Sequence, residues 1–182
     1  MPLNPQVQGF LQTLAAAGAQ PFHMMEPVQC RQAINGLMSM MPPSAAVLAS
    51  VRNTHIAGPA GEIGLRIYTP TGAGPFPILM YFHGGGFVIG DLDTFDKLCR
   101  ETAGGAGVIV VSVDYRLAPE HPFPAASDDC LAATRWAAAH AQEIDGDSSR
   151  IGVSGDSAGG NLAAVTALRL RDEGGPALKA QL

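Results

Sequence analysis

Two runs, Ile78-Leu79-Met80-Tyr81-Phe82 and Val108-Ile109-Val110-Val111, carry apolar side chains on both faces of an extended chain. A strand with no polar face is stable only where other layers cover it on each side, the position of a central strand in a mostly parallel sheet. These runs place strands at 77–82 and 108–113, joined by further candidates at 62–69 and 151–154 and a weaker one at 51–56. Helical spacing falls between them, near 93–104, 125–141 and 158–172. Strand and helix in alternation define the α/β class.

Two short helices precede the sheet. Val7, Phe10, Leu11 and Leu14 recur at helical spacing over 4–17, and Val28, Ile34, Leu37, Met38 and Met41 over 27–41, with Pro21, Pro27 and Pro42-Pro43 as punctuation. The chain has 182 residues, 47% of them hydrophobic, which is material for one core and roughly one domain. A formal charge of -5 with scattered basic residues gives no support for a nucleic-acid surface. Cys30, Cys99 and Cys130 lie far apart without a Cys-x-x-Cys or paired-histidine companion, so they read as free buried thiols and no metal site is expected. The first basic residue is Arg31, which does not fit an export signal, and no segment has the apolar length of a membrane span. A cytoplasmic location is the expectation.

The chemistry concentrates in two glycine-rich turns. Gly155-Asp156-Ser157-Ala158-Gly159-Gly160 follows a strand and opens a helix, and its Gly-x-Ser-x-Gly core arises by chance in about one such chain in ten. Its context is more specific. Small flanking residues permit the sharp strand-to-helix turn that lifts a serine above a sheet. The following helix then aims its positive end at that hydroxyl, where negative charge develops in acyl transfer. Ser157 is the candidate nucleophile. The second turn, His83-Gly84-Gly85-Gly86-Phe87, sits at the carboxyl end of an apolar strand, where open α/β sheets bind ligands. With no side chains in the way, the Gly84 and Gly85 amides can approach a substrate oxygen, joined by the Ala158 N–H. No Gly-Lys-Ser/Thr phosphate loop is present, and Gly104-Gly105-Ala106-Gly107 leads into a strand, so no nucleotide or other cofactor is expected. The methionines Met24, Met25, Met38, Met40 and Met41 either shape an acyl pocket or simply pack helices.

Three segments, His83–Phe87, the stretch Asp114-Tyr115-Arg116-Leu117-Ala118-Pro119-Glu120-His121-Pro122-Phe123-Pro124-Ala125-Ala126, and Gly155–Asn161, resemble the hormone-sensitive-lipase-like family of α/β-hydrolase carboxylesterases. The resemblance implies a partial α/β-hydrolase fold, with an N-terminal helical cap over 1–45 and the first part of the catalytic domain over 46–182. It implies Ser157 as nucleophile acting on short to medium acyl esters, an oxyanion hole of Gly84, Gly85 and Ala158, and structural roles for His83, Gly86, Gly155, Asp156 and Gly159. In the segment from Asp114 to Ala126, read as a scaffold loop, Arg116 and Glu120 are expected to form an ion pair.

An acyl-transfer serine needs a base to take its proton and an acid to orient that base, and in this fold both follow the serine along the chain. Downstream of Ser157 stand Asp172 and Glu173 but no histidine; the five histidines are 23, 55, 83, 121 and 140. The expectation is that no triad acid or base lies in these residues and that a separate C-terminal portion supplies them. The segment at 179–182 reads as the start of a next strand, and the far edge of the strand at 151–154 is expected to be bare. Rival readings are a ligand-binding protein without catalysis, as in the gibberellin receptors that are similar to this family, and an inert fragment.

Overall fold

The computed structural model describes residues 2–16, 18 and 20–182. Helix α1 (Pro5–Ala16) falls within the expected 4–17, starting one residue later, after Asn4; residue 17 lies outside the described residues. Helix α2 (Pro27–Ser39) starts where proline is best tolerated, at its first position, and a reciprocal capping box of Glu26 and Gln29 closes its N-terminus. Strand β1 (Leu48–Gly58) turns through Pro59-Ala60 into the antiparallel β2 (Gly61–Pro70). The sequence gives β1 its weakest signal, yet it is the longest strand. It pairs on one side only, so Arg52, Asn53 and His55 stay in solvent and blur the apolar alternation while the main-chain ladder to β2 holds it.

Strand β3 (Phe76–Phe82) leads to α3 (Asp96–Ala106), then β4 (Ile109–Asp114), α4 (Ala125–Ala139), β5 (Gly146–Gly155), α5 (Ala158–Asp172) and β6 (Leu178–Gln181). Helix α3 begins after the expected 93 because Asp91 Oδ1 accepts from the Asp93 and Thr94 amides and the Thr94 hydroxyl, holding that stretch in a turn. It ends at Gly107 in the left-handed region, φ 63°. The sheet order is β1-β2-β4-β3-β5-β6, with β4-β3, β3-β5 and β5-β6 parallel. The two doubly apolar runs are thus central and adjacent. Ile78, Met80 and Phe82 face one core with Val111, Val113, Cys130, Ala133 and Leu162, against α4 and α5. Tyr81 and Val110 face the other with Tyr68, Cys99 and Ala103 of α3. Each fully buried large aliphatic side chain contributes about 1.5–3 kcal/mol relative to exposure.

Two expectations need correction. The far edge of β5 is not bare: β6 pairs with it in parallel from Ile151 opposite Leu178 to Val153 opposite Gln181. Nor does Arg116 pair with Glu120. Arg116 donates from its amide, Nε and Nη2 to the buried Asp129 carboxylate of α4, and Glu120 is taken by Arg31 of α2. A partner already buried and nearly enclosed by protein holds a guanidinium more firmly than an exposed glutamate does. The three cysteines are buried and free. Among the described residues no helix is long and apolar enough to cross a membrane.

Candidate active site

The register of the parallel pair β3 and β5 sets Phe82 opposite Gly155, so both glycine-rich turns leave the sheet side by side at its carboxyl end. On the β5 side the chain reverses within Asp156-Ser157 and enters α5. Ser157 lies at φ 51°, ψ -116°, a conformation that costs a residue with a Cβ, and its side chain is exposed. The turn is closed by the Gly159 amide donating to Asp156 O at 2.7 Å and the Asn161 amide to Ser157 O at 3.2 Å. Glycine is obligatory at 159, because a Cβ there would collide with the Phe82 carbonyl, and at 155 for the same reason. Helix α5 therefore starts in direct contact with the end of β3. The Ala158 amide, in the first turn of α5, has no acceptor within the helix.

On the β3 side the carbonyls are held one by one. His83 O accepts from the Tyr115 hydroxyl at 2.6 Å, and Gly84 O lies 2.9 Å from His83 Nδ1. Gly85 O accepts from the Val88 and Ile89 amides, Phe87 O from the Ala118 amide, and Val88 O from Arg31 Nε. Because C=O and N–H of a trans peptide point in opposite directions, anchoring the carbonyls of Gly84 and Gly85 turns the amides of Gly85 and Gly86 away from these anchors. Among the described residues neither amide donates to protein.

The Gly84 amide differs. It donates to Asp156 Oδ1 at 2.9 Å, which also accepts from the Tyr81 hydroxyl at 2.7 Å. The Gly84 N–H, expected to serve an oxyanion, is engaged with Asp156 in this structure and bolts the two turns together. Burial and the Asp156 bond both push the Tyr81 phenol far above its ordinary range, so it remains a donor. Tyr81, Tyr115 and Arg31 were not recognisable as site residues from sequence. Tyr81 reads as one more apolar strand position, and its contact with Asp156 spans the fold.

His83 is fully buried and stacked between Tyr115, with ring centroids 4.2 Å apart, and Phe95, at 5.7 Å. A carbonyl can only accept, so the bond to Gly84 O assigns the proton to Nδ1, leaving Nε2 buried without a partner. Burial lowers the ring's pKa below 6.5. Of the other histidines, His140 stacks on Trp136, His23 and His55 are exposed, and His121 borders a largely apolar cavity of about 260 Å³. That cavity lies between the glycine turn (Gly86, Phe87) and the early turns of α5 (Asn161, Leu162). None of the five hydrogen-bonds Ser157. Met38 and Met41 border a different cavity of mixed lining beside α3, of about 390 Å³, with Asp96 and Arg100.

A sheet with this topology, a serine raised on a strand-to-helix turn and a glycine loop with outward amides define an α/β hydrolase. A family profile described as the alpha/beta hydrolase fold matches residues 79–182. The chain belongs to that family, in its hormone-sensitive-lipase-like group of carboxylesterases. It is similar to the esterase LipI of Mycobacterium tuberculosis, 60% identical over 130 residues covering 70% of this chain and 41% of LipI. It is 44% identical over 179 residues to the carboxylic ester hydrolase LipN of the same organism, covering 96% of this chain and 48% of LipN. The hyperthermophilic esterase of the archaeon Pyrobaculum calidifontis superposes with a TM-score of 0.90 at 42% identity, over 98% of this chain and 57% of that one. The chain spans about half the length of the relatives it matches.

Proposed function

We propose that this chain carries the nucleophile and oxyanion hole of a serine carboxylesterase. The observation that carries the reading is Ser157 at φ 51°, exposed on a turn bonded directly to the triple-glycine loop. Ser157 Oγ attacks the ester carbonyl. The developing oxyanion is received by the amides of Gly85, Gly86 and Ala158, donors oriented before substrate arrives, which is the arrangement that stabilises a tetrahedral intermediate most effectively. Loss of one such donor typically costs about a hundredfold to a thousandfold in rate. The alcohol departs with a proton from the general acid, and water then releases the acyl group by the same path in reverse.

The proton acceptor is not among the residues gathered here, since His83 is committed to Gly84 and the other histidines make no bond to Ser157. We assign base and acid to polypeptide outside these residues. Relatives named as an arylesterase of Saccharolobus solfataricus and an ethyl acetate hydrolase of Pseudomonas putida support small esters as the substrate class. The apolar cavity next to Gly86 suits a short to medium acyl chain. The test is turnover of p-nitrophenyl acetate by the chain alone and with the C-terminal half of a relative supplied in trans. Turnover is expected only in the second case and is lost in Ser157→Ala. Turnover by the chain alone that disappears in His121→Ala or His83→Ala would contradict the assignment of the base.

A further inference from the structure

Among the described residues of α1 and α2, Arg31 is the side chain that bonds to Val88, the residue directly after the glycine turn. Its guanidinium makes four bonds to three points: Nε to Val88 O at 2.8 Å, Nη2 to Ala118 O at 3.0 Å, and Nη1 and Nη2 to the two oxygens of Glu120 at 2.8 and 2.7 Å. The contacts close a ring. Val88 donates its own amide to Gly85 O, and Ala118, whose carbonyl Arg31 holds, donates its amide to Phe87 O. Arg31 thus grips both ends of the peptide pair that fixes the turn. One helical turn further along the same face of α2, Asn35 donates to Asp91 Oδ2 at 2.7 Å, and its Oδ1 lies 2.7 Å from the Thr94 hydroxyl, whose one proton it shares with Asp91 Oδ1, holding the segment that follows the turn.

We propose that Arg31 is a positioning residue for the oxyanion hole: by anchoring Val88 it fixes the Gly85 carbonyl and so the direction of the Gly86 amide, making the seating of α2 a determinant of reactivity at Ser157. The inference rests on the esterase reading for its catalytic half. The tether itself stands on the bonds above. A guanidinium is suited to the task because one planar group donates in several fixed directions at once, to two carbonyls and a bidentate carboxylate. A lysine keeps the charge and loses that geometry.

The test uses Arg31→Lys in the 182-residue chain, with Glu120→Gln as a milder second variant that weakens the grip on Arg31 without touching the turn. Amide exchange at Val88 and Ile89 is expected to accelerate about tenfold in Arg31→Lys, the equivalent of one lost charged hydrogen bond. The amide resonances of Gly85 and Gly86 should move while those of Gly61 and Gly107 stay in place. The maximal rate of fluorophosphonate labelling at Ser157, read with the C-terminal half of a relative supplied in trans, should fall by a similar factor with the half-saturating probe concentration unchanged. Glu120→Gln should shift the same signals in the same direction by less. Unmoved Gly85 and Gly86 resonances would overturn the inference, and so would moved resonances with an unchanged labelling rate. A wild-type chain that takes no label even with the C-terminal half of a relative present would count against the esterase reading and remove the catalytic half of the proposal, while the resonances would still decide whether α2 governs the turn.

Discussion

Ser157 and His83 occupy opposite electrostatic situations within one site. Ser157 is exposed and held in a left-handed conformation by the contact of α5 with β3; His83 is sealed beneath the loop with one ring nitrogen used and the other unpaired. The serine's conformation has a measurable consequence. Glycine normally destabilises relative to alanine, but at a site with positive φ the order inverts, so Ser157→Gly is expected to exceed Ser157→Ala in urea stability by about 1 kcal/mol. Equal stabilities would mean the turn is unstrained. His83 makes stability depend on pH. Its folded pKa lies below the unfolded value of about 6.5, so the unfolded chain binds the extra proton first. Stability is full above pH 6.5 and declines as pH falls towards the folded pKa, with a slope of at most about 1.4 kcal/mol per pH unit. Urea titrations between pH 7.5 and 5 should show this decline in the wild type and a smaller one in His83→Asn. Residue identity alone made Ser157, His83 and the glycines legible. What it did not reveal was which amide is free, because the Gly84 N–H is taken by Asp156, a residue whose bond across the sheet has no local signature.

The elements explain which glycines matter. In α5, Gly159 abuts the Phe82 carbonyl, and Gly159→Ala is expected to destabilise by at least about 2 kcal/mol through overpacking and to disorder the elbow. In α3, a Cβ at Gly105 meets nothing within 4 Å, so Gly105→Ala should stabilise by about 0.5–1 kcal/mol through helix propensity alone. Thermal melts of the two variants check the contrast; the same sign for both would contradict the packing of α5 on β3. At this scale periodicity located the α-helices α1 to α5 and the central strands, since their patterns answer to a core on one or both faces. It failed at β1, where an edge position leaves the pattern mixed, and at Arg116, where sequence neighbours suggested Glu120 and the fold supplied the buried Asp129.

For the whole molecule, the decisive event is that β3 and β5 lie side by side, which brings two turns into hydrogen-bond contact through Gly84 and Asp156, 72 residues apart in sequence. Each turn was legible alone, but their junction was not: the apolar faces of β3 admit it to the centre of the sheet, whereas β5 carries only Ile151 and Val153 as large apolar residues and its pairing with β3 shows only in the fold. The hold of α2 on the loop was not legible, because Arg31 has no motif around it and gains its meaning only from Val88, Ala118 and Glu120. In the proposed esterase, the hydroxyl of Ser157 is the reacting group. Peptide mapping by mass spectrometry after fluorophosphonate treatment, with the C-terminal half of a relative present, tests it most directly. The account predicts a single adduct on the peptide containing Ser157, absent from Ser157→Ala; an adduct on another serine, or one that persists in Ser157→Ala, would contradict it.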